Sequence, residues 1–411
     1  MSVDSSRSAI PSPAKREWPG LATPPRSPFR AAVARRLFLR AVRRLPIEVE
    51  LPDGRRFGGG GPVMRLVEPA NFFHRLGADG TIGLGEAYMV GDWITDALVD
   101  VLTPFAARMD GLVPRPLRAL RRFARPRKPA RERNTVDGAR QNIERHYDLS
   151  NELFALFLDE SMTYSSAWFA ADEDSLGEAQ LRKVDAILDL AGVGPGTRLL
   201  EIGTGWGTLA LRAARRGAEV TSLTISPAQK ELAERRLADA GVADRVRVKL
   251  QDYRHETGTY DAVASVEMIE AVGHQHWAEY FGMVDRVLAP GGRFALQAIT
   301  MPHDQMLATR DVQGWPHKYI FPGGELLSIP EIEGQVTSHT RLRITERRAL
   351  GASYARTLST WRDRFLERWE AVAALGFDET FRRMWVFYLS YFEAGFRADY
   401  LDVWQFRMDK S

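Results

Sequence analysis

The chain has 411 residues, a formal net charge of +3, a hydrophobic fraction of 45% and no cysteine. The missing cysteines exclude disulfides, thiolate metal sites and a cysteine nucleophile. No run of about 18 apolar residues is present, so no membrane-spanning helix is expected, and the first 20 residues lack the apolar stretch of a signal peptide.

Residues 1–27 are rich in Ser, Pro and Arg and read as a disordered tail. The following stretch, FRAAVARRLFLRAVRRL, puts Phe29, Val33, Leu37 and Val42 near one face and arginines near the others, the pattern of an amphipathic helix. Basic residues crowd this segment at Arg30, Arg35, Arg36, Arg40, Arg43 and Arg44. They crowd a second one at Arg115, Arg118, Arg121, Arg122, Arg125, Arg127, Lys128, Arg131 and Arg133. Such clusters attract phospholipid headgroups or nucleic acid; a solvated helix face and a solvated linker are the plain alternatives. Nucleic-acid binding would want aromatic residues interleaved with the basic ones, and these clusters are almost purely Arg, Ala, Leu and Pro. A peripheral, cytoplasmic association with an anionic membrane is therefore expected, with no nucleic-acid partner.

The turn-rich LPDGRRFGGGGP and the helix-like ADGTIGLGEAYMVGDWITDALVDVL complete a small α+β unit over residues 28–124. A Pro/Arg-rich linker at 125–135 separates it from a catalytic domain over 136–411. In the latter, TRLLEIG, AEVTSLTIS, VRVKLQD, YDAVASVE and GRFALQAIT read as buried strands. Between them LALRAARRG, AQKELAERRLADAG and HWAEYFGMVDRVLAPGG have helical spacing. The alternation predicts an α/β fold: a doubly wound, Rossmann-like parallel sheet with helices on both faces. From Ser359 onward the chain is aromatic and helical in character.

LLEIGTGWG at 199–207 is a strand, a glycine turn and the start of a helix. Gly203, Gly205 and Gly207 let the backbone approach a ligand closely. Glu201 would repel a pyrophosphate but can take the ammonium of a methionine-type ligand, directly or through water. Asp252 ends a third strand, where a carboxylate can accept from an adenine amine. The second strand ends without the acid that commonly binds ribose, so Thr224 and Gln229 would serve in its place. A bare strand-to-helix turn is the alternative reading of the glycines.

The strings GLGEAYMVGDW, NIERHYDLSNELF, MTYSSAWF, LLEIGTGWG, SLTISPAQ, VEMIEAVG, KYIFPGGELLS, GASYARTLSTW and FRADYLDVWQF follow one another between about Gly83 and Met408. In this order they resemble the cyclopropane fatty acid synthase family, including the mycolic acid methyltransferases. The resemblance implies a class I methyltransferase that binds S-adenosylmethionine and methylates a cis double bond in a lipid-borne acyl chain. It implies cofactor contacts at Tyr164, Ser165, Gly203, Gly205, Thr224, Gln229, Asp252 and Tyr253. It further implies a bicarbonate proton acceptor held by Ser166, Glu270, Gln297, Tyr354 and the backbone of Ile299. Glu267 ranks behind Glu270, and no metal is expected, since His274 and His276 lack a supporting ligand set. His146 and Tyr147 belong to a helical lid or to a capped helix.

Ser166 stands where the family has cysteine, and Gln297 where its ring-forming members have histidine. Glutamine cannot titrate near neutral pH, which displaces the base. A hydride shift and proton loss then give a 10-methylene stearoyl-type product from an oleoyl-type phospholipid, and LQAITMPHDQM resembles the branch that makes such lipids. A cyclopropane ring is the alternative product, and a natural-product methyltransferase a further alternative. The methylene route implies a separate reductase that saturates the product. The family also implies a homodimer. The aromatic run MWVFYLSYFEAGF, Trp361, Trp369, Trp404, Tyr319, Ile320 and Phe321 are expected to serve as core and as the wall of an acyl tunnel.

Overall fold

A computed structural model describes residues 18, 21, 23–108, 128, 129, 134, 138 and 150–411. Most of the expected tail, most of the linker, the second arginine cluster apart from Lys128, and His146 and Tyr147 lie outside the described residues.

Two sheets organise the chain. The smaller has the order β2-β1-β3-β4, with β1 Glu48–Glu50, β2 Arg56–Gly58, β3 Val63–Leu66 and β4 Trp93–Ile94. The larger has the order β10-β11-β9-β8-β5-β6-β7. Its strands are β5 Arg198–Ile202, β6 Glu219–Thr224, β7 Val246–Leu250, β8 Tyr260–Val266, β9 Leu288–Thr300, β10 Leu342–Ala349 and β11 Asp402–Lys410. β5 to β9 pair in parallel, as the alternation of buried strands with helices predicts.

Two expectations are corrected. The sheet is mixed: β11 pairs antiparallel with both β9 and β10, so the chain does not end in helix. The APGG after the helix Trp277–Val287 belongs to the start of β9. The first correction has a tertiary cause. β11 and β9 reach across to each other over eight register pairs, a tertiary pairing that no local pattern carries.

Parallel strands all deliver their carboxyl ends to one edge of the sheet, which is where open α/β folds hold ligands. Ile202, Thr224, Leu250 and Val266 terminate there. Over that edge lies the long helix Glu379–Arg397, with Trp385, Phe387, Tyr388 and Phe396 buried on its inner face. The helix Thr81–Met89 of the N-terminal unit packs against it, so the smaller sheet shares this aromatic core. Glu86 ties the two units by accepting from Tyr319 Oη at 2.8 Å and Lys318 Nζ at 2.5 Å.

Candidate active site

A cavity of about 1770 Å³ opens beyond the carboxyl ends of β5, β6, β7 and β8. It runs from the glycine turn to the helix Pro28–Val42. That helix buries Ala31, Phe38 and Val42, whereas Phe29 is 81% exposed and Val33 43% exposed. The expected apolar face thus splits, and Phe29, Val33 and Leu37 line the cavity mouth.

At the opposite end Gly203 (φ +99°) and Gly205 (φ +51°) face the cavity. A Cβ on Gly205 would meet no protein atom within 4 Å, so the space over it is left for a ligand. Gly207 is placed differently from its expectation. It caps the next helix at φ +87°, and its absent Cβ gives way to Ala233 at 3.1 Å, so it serves packing and does not line the cavity.

Glu201 is buried at the end of β5 and lines the cavity. Ser222 Oγ donates to its Oε2 at 2.5 Å, and Thr204 and Ser222 share a hydrogen at 2.6 Å. Burial pushes the Glu201 carboxyl up to about 8. A cationic ligand group would reverse that shift. Thr224 donates to Gln229 Oε1 at 2.9 Å, which leaves the Gln229 amide nitrogen as the donor at this wall. Asp252 is gripped by Arg254 through both oxygens, at 2.9 and 3.1 Å. The Tyr253 hydroxyl is buried without a partner among the described residues. Neutral donors and acceptors line this part of the cavity together with the Arg254-paired Asp252 carboxylate and, at the end of β5, the buried Glu201. This donor set, and the open space over Gly205, fit S-adenosylmethionine.

Tyr164 and Ser165 line the side wall. Tyr164 Oη pairs with Tyr388 Oη at 2.7 Å, and Ser165 Oγ accepts from Lys183 Nζ at 2.5 Å. Lys183 was not anticipated. It is fully buried on the apolar face of the helix Leu176–Leu190, and burial lowers its ammonium to about 8 against the pull of Glu267. The signal was a lysine in register with Val184 and Ile187.

The five residues assigned to bicarbonate converge, but not on open space. Ser166 N–H and Gln297 Nε2 both donate to Glu267 Oε1, at 2.8 and 2.7 Å. Tyr354 Oη donates to Glu267 Oε2 at 2.7 Å. Gln297 Oε1 accepts from Gln405 at 3.0 Å, which fixes the amide orientation. Ser166 and Gln297 are fully buried and do not reach the cavity. Glu270 Oε1 accepts from Ile299 N–H at 2.6 Å, while Oε2 is buried without a partner among the described residues. Burial, and then the neighbouring Glu267, push the Glu270 carboxyl up to about 8. Burial also raises Glu267, against Lys183 and its three donors. Glu267, ranked second from sequence, is therefore the hub.

Of the proposed tunnel aromatics, Phe321, Tyr388, Tyr391 and Phe392 line the cavity. Trp361, Trp369, Trp404, Tyr319 and Ile320 do not; Trp361 is fully buried core. His274 bonds Glu325 at 2.8 Å, and no three-ligand cluster exists among the described residues. None of the helices searched there is long and apolar enough to cross a membrane.

A model of the mycolic acid cyclopropane synthetase family matches residues 134–406. The tuberculostearic acid methyltransferase UfaA1 of Mycobacterium tuberculosis is 47% identical over 421 aligned residues, covering 99% of each chain. The cyclopropane-fatty-acyl-phospholipid synthase of Escherichia coli is 34% identical, covering 86% of this chain and 89% of its own. Among solved structures, the mycolic acid cyclopropane synthase CmaA1 complexed with SAH and CTAB aligns with a TM-score of 0.61 at 31% identity. It covers 69% of this chain and 99% of its own.

Proposed function

The chain belongs to the mycolic acid cyclopropane synthetase family of S-adenosylmethionine-dependent methyltransferases, and we propose that it methylates the cis double bond of an oleoyl-type phospholipid chain to give a methylene-branched product. The observation that carries this reading is the continuity of one cavity from the glycine turn to an apolar mouth. A methyl donor at one end and an acyl chain entering from the other would meet beside Glu267 and Glu270.

S-adenosylmethionine, when bound, supplies an electrophilic methyl carbon on a sulfonium. Glu201 would hold its ammonium, Gln229 a ribose hydroxyl and Asp252 the adenine amine, with Gly203 and Gly205 giving close approach. An alkene is a weak nucleophile, so alignment and exclusion of water supply much of the rate. The aromatic wall of Phe321, Tyr388 and Phe392 excludes water and offers ring faces to a developing cation. The alkene π pair forms the new C–C bond, and the old carbon–sulfur pair stays on sulfur. A 1,2-hydride shift then moves the cation next to the added carbon, and proton loss from that carbon closes an exocyclic double bond. A separate reductase would saturate it.

The mouth supports docking on an anionic membrane. Phe29 and Val33 are exposed beside Arg30, Arg35, Arg36 and Arg40, an apolar tip within a basic collar. Incubation with methyl-labelled S-adenosylmethionine and oleoyl phosphatidylglycerol vesicles tests the reading. Label is expected in the acyl chains. Label confined to headgroups, or none in lipid, overturns it.

A further inference from the structure

Three donors that the family resemblance gives to a bicarbonate ion are already spent on a carboxylate of the chain. Glu267 Oε1 takes Ser166 N–H and Gln297 Nε2, and its Oε2 takes Tyr354 Oη, all within 2.8 Å. Of the other two assigned residues, Ile299 spends its N–H on Glu270 Oε1, which leaves Glu270 Oε2 as the one unpartnered atom of the set among the described residues. A second anion would find the Ser166, Gln297, Tyr354 and Ile299 donors already taken, would meet only the Glu270 carboxyl, and would lie against Glu267. The residues present do not fit bicarbonate.

The backbone at Glu267 points the same way. Its φ is +48°, in the left-handed region that a residue with a Cβ occupies at a cost. Such strain persists where the surroundings over-determine it, and it gathers at functional sites. Here the three hydrogen bonds hold the carboxylate at the cavity wall.

We propose that Glu267 is the proton acceptor of the reaction, a built-in carboxylate in place of bicarbonate. The inference rests on the lipid-methylation reading above. After the hydride shift the cation lies next to the added methyl carbon. One C–H pair of that methyl becomes the exocyclic π bond, and its proton passes to Glu267 Oε2. That oxygen accepts one hydrogen bond and keeps a lone pair. The cation and the carboxylate are discharged together, so charge balances without a further reactant. Glu270 is the rival base. It accepts from a single donor, the Ile299 N–H, where Glu267 accepts from one backbone and two side-chain donors, and the nearby Lys183 ammonium favours the ionised form of Glu267.

The test uses the full chain, labelled S-adenosylmethionine and oleoyl phosphatidylglycerol vesicles in buffer stripped of carbon dioxide, with and without added bicarbonate. The unmutated enzyme is expected to work at the same rate, within about twofold, in both. Glu267→Gln is expected to lose at least about a hundredfold in kcat while KM and S-adenosylhomocysteine binding stay within about threefold. Glu267→Gly removes the carboxylate and opens space among its donors; added bicarbonate is expected to restore part of its activity. A rate of the unmutated enzyme that collapses without bicarbonate overturns the proposal, and so does Glu267→Gln keeping more than a tenth of the activity. Failure of the unmutated enzyme to label lipid in either buffer overturns the lipid reading itself, a separate outcome.

Discussion

Ser222 donates its hydroxyl to Glu201 Oε2 at 2.5 Å, from the neighbouring strand and at the same level of the sheet. The bond orients a buried acid at the end of β5, where a ligand ammonium would arrive. Glu201→Gln keeps the shape and loses the charge. Hydrogen bonds to charged groups are worth about 1.5–3 kcal/mol, so S-adenosylhomocysteine should bind at least about tenfold more weakly by calorimetry.

The glycine turn divides into two roles that two substitutions should separate. Gly205→Ala meets no protein atom, so its folding cost is the left-handed backbone alone, about 1–2 kcal/mol. Its larger effect should be on cofactor binding, because the new methyl enters the ligand space. Gly207→Ala pays a similar backbone cost and also presses on Ala233 at 3.1 Å. Its melting temperature should fall further. Thermal denaturation with and without S-adenosylhomocysteine reads both effects.

Thr224 and Gln229 replace a ribose-binding acid, and they bond each other at 2.9 Å. Gln229→Ala should weaken S-adenosylhomocysteine binding by about threefold to tenfold, the worth of one net hydrogen bond. Thr224→Val should act through the same donor, so the double variant should lose less than the product of the two single losses.

Stability without ligand should fall with rising pH. Glu201 and Glu270 start from 4.5 and are both pushed up to about 8 in the folded protein. The folded state therefore keeps protons that the unfolded chain releases. The contribution is complete below the unfolded value and is lost as pH climbs through about 8. Each group adds at most about 1.4 kcal/mol per pH unit across that window. Glu267, also raised, adds in the same sense, and Lys183, lowered to about 8, acts only above it. Melting curves between about pH 5 and pH 8 should show the fall, and Glu270→Gln should flatten it.

Phe29 and Val33 are exposed at the cavity mouth, so replacing both with Glu should leave the melting temperature within about 1 °C. The same change should abolish flotation with anionic liposomes. Unchanged flotation would remove the mouth from the docking account. Salt should weaken binding of the unaltered chain, because the arginine collar acts through screened charges.

The central parallel strands were legible because they are largely buried on both faces and rich in apolar residues, whereas the edge strand β7 buries only Val248 and was read from its alternation. β10 was not legible: LRITERRA is largely exposed or half-buried and offers no apolar run. β11 was not either, because its alternating DVWQFRMDK follows an aromatic helix and gains meaning only between β9 and β10. The glycine turn and its acid could be read locally, since β5 and the turn are contiguous. The Glu267 hub could not. Its partners come from residues 166, 297 and 354, and only the folded chain brings their donors to one carboxylate.

The fate of the two vinylic hydrogens tests the central claim most directly. Oleoyl phospholipid carrying deuterium on both double-bond carbons would be converted and its product located by NMR and mass spectrometry. The account predicts both deuterons on one carbon beside an exocyclic methylene, because one has migrated. One deuteron on each carbon of a cyclopropane would contradict it.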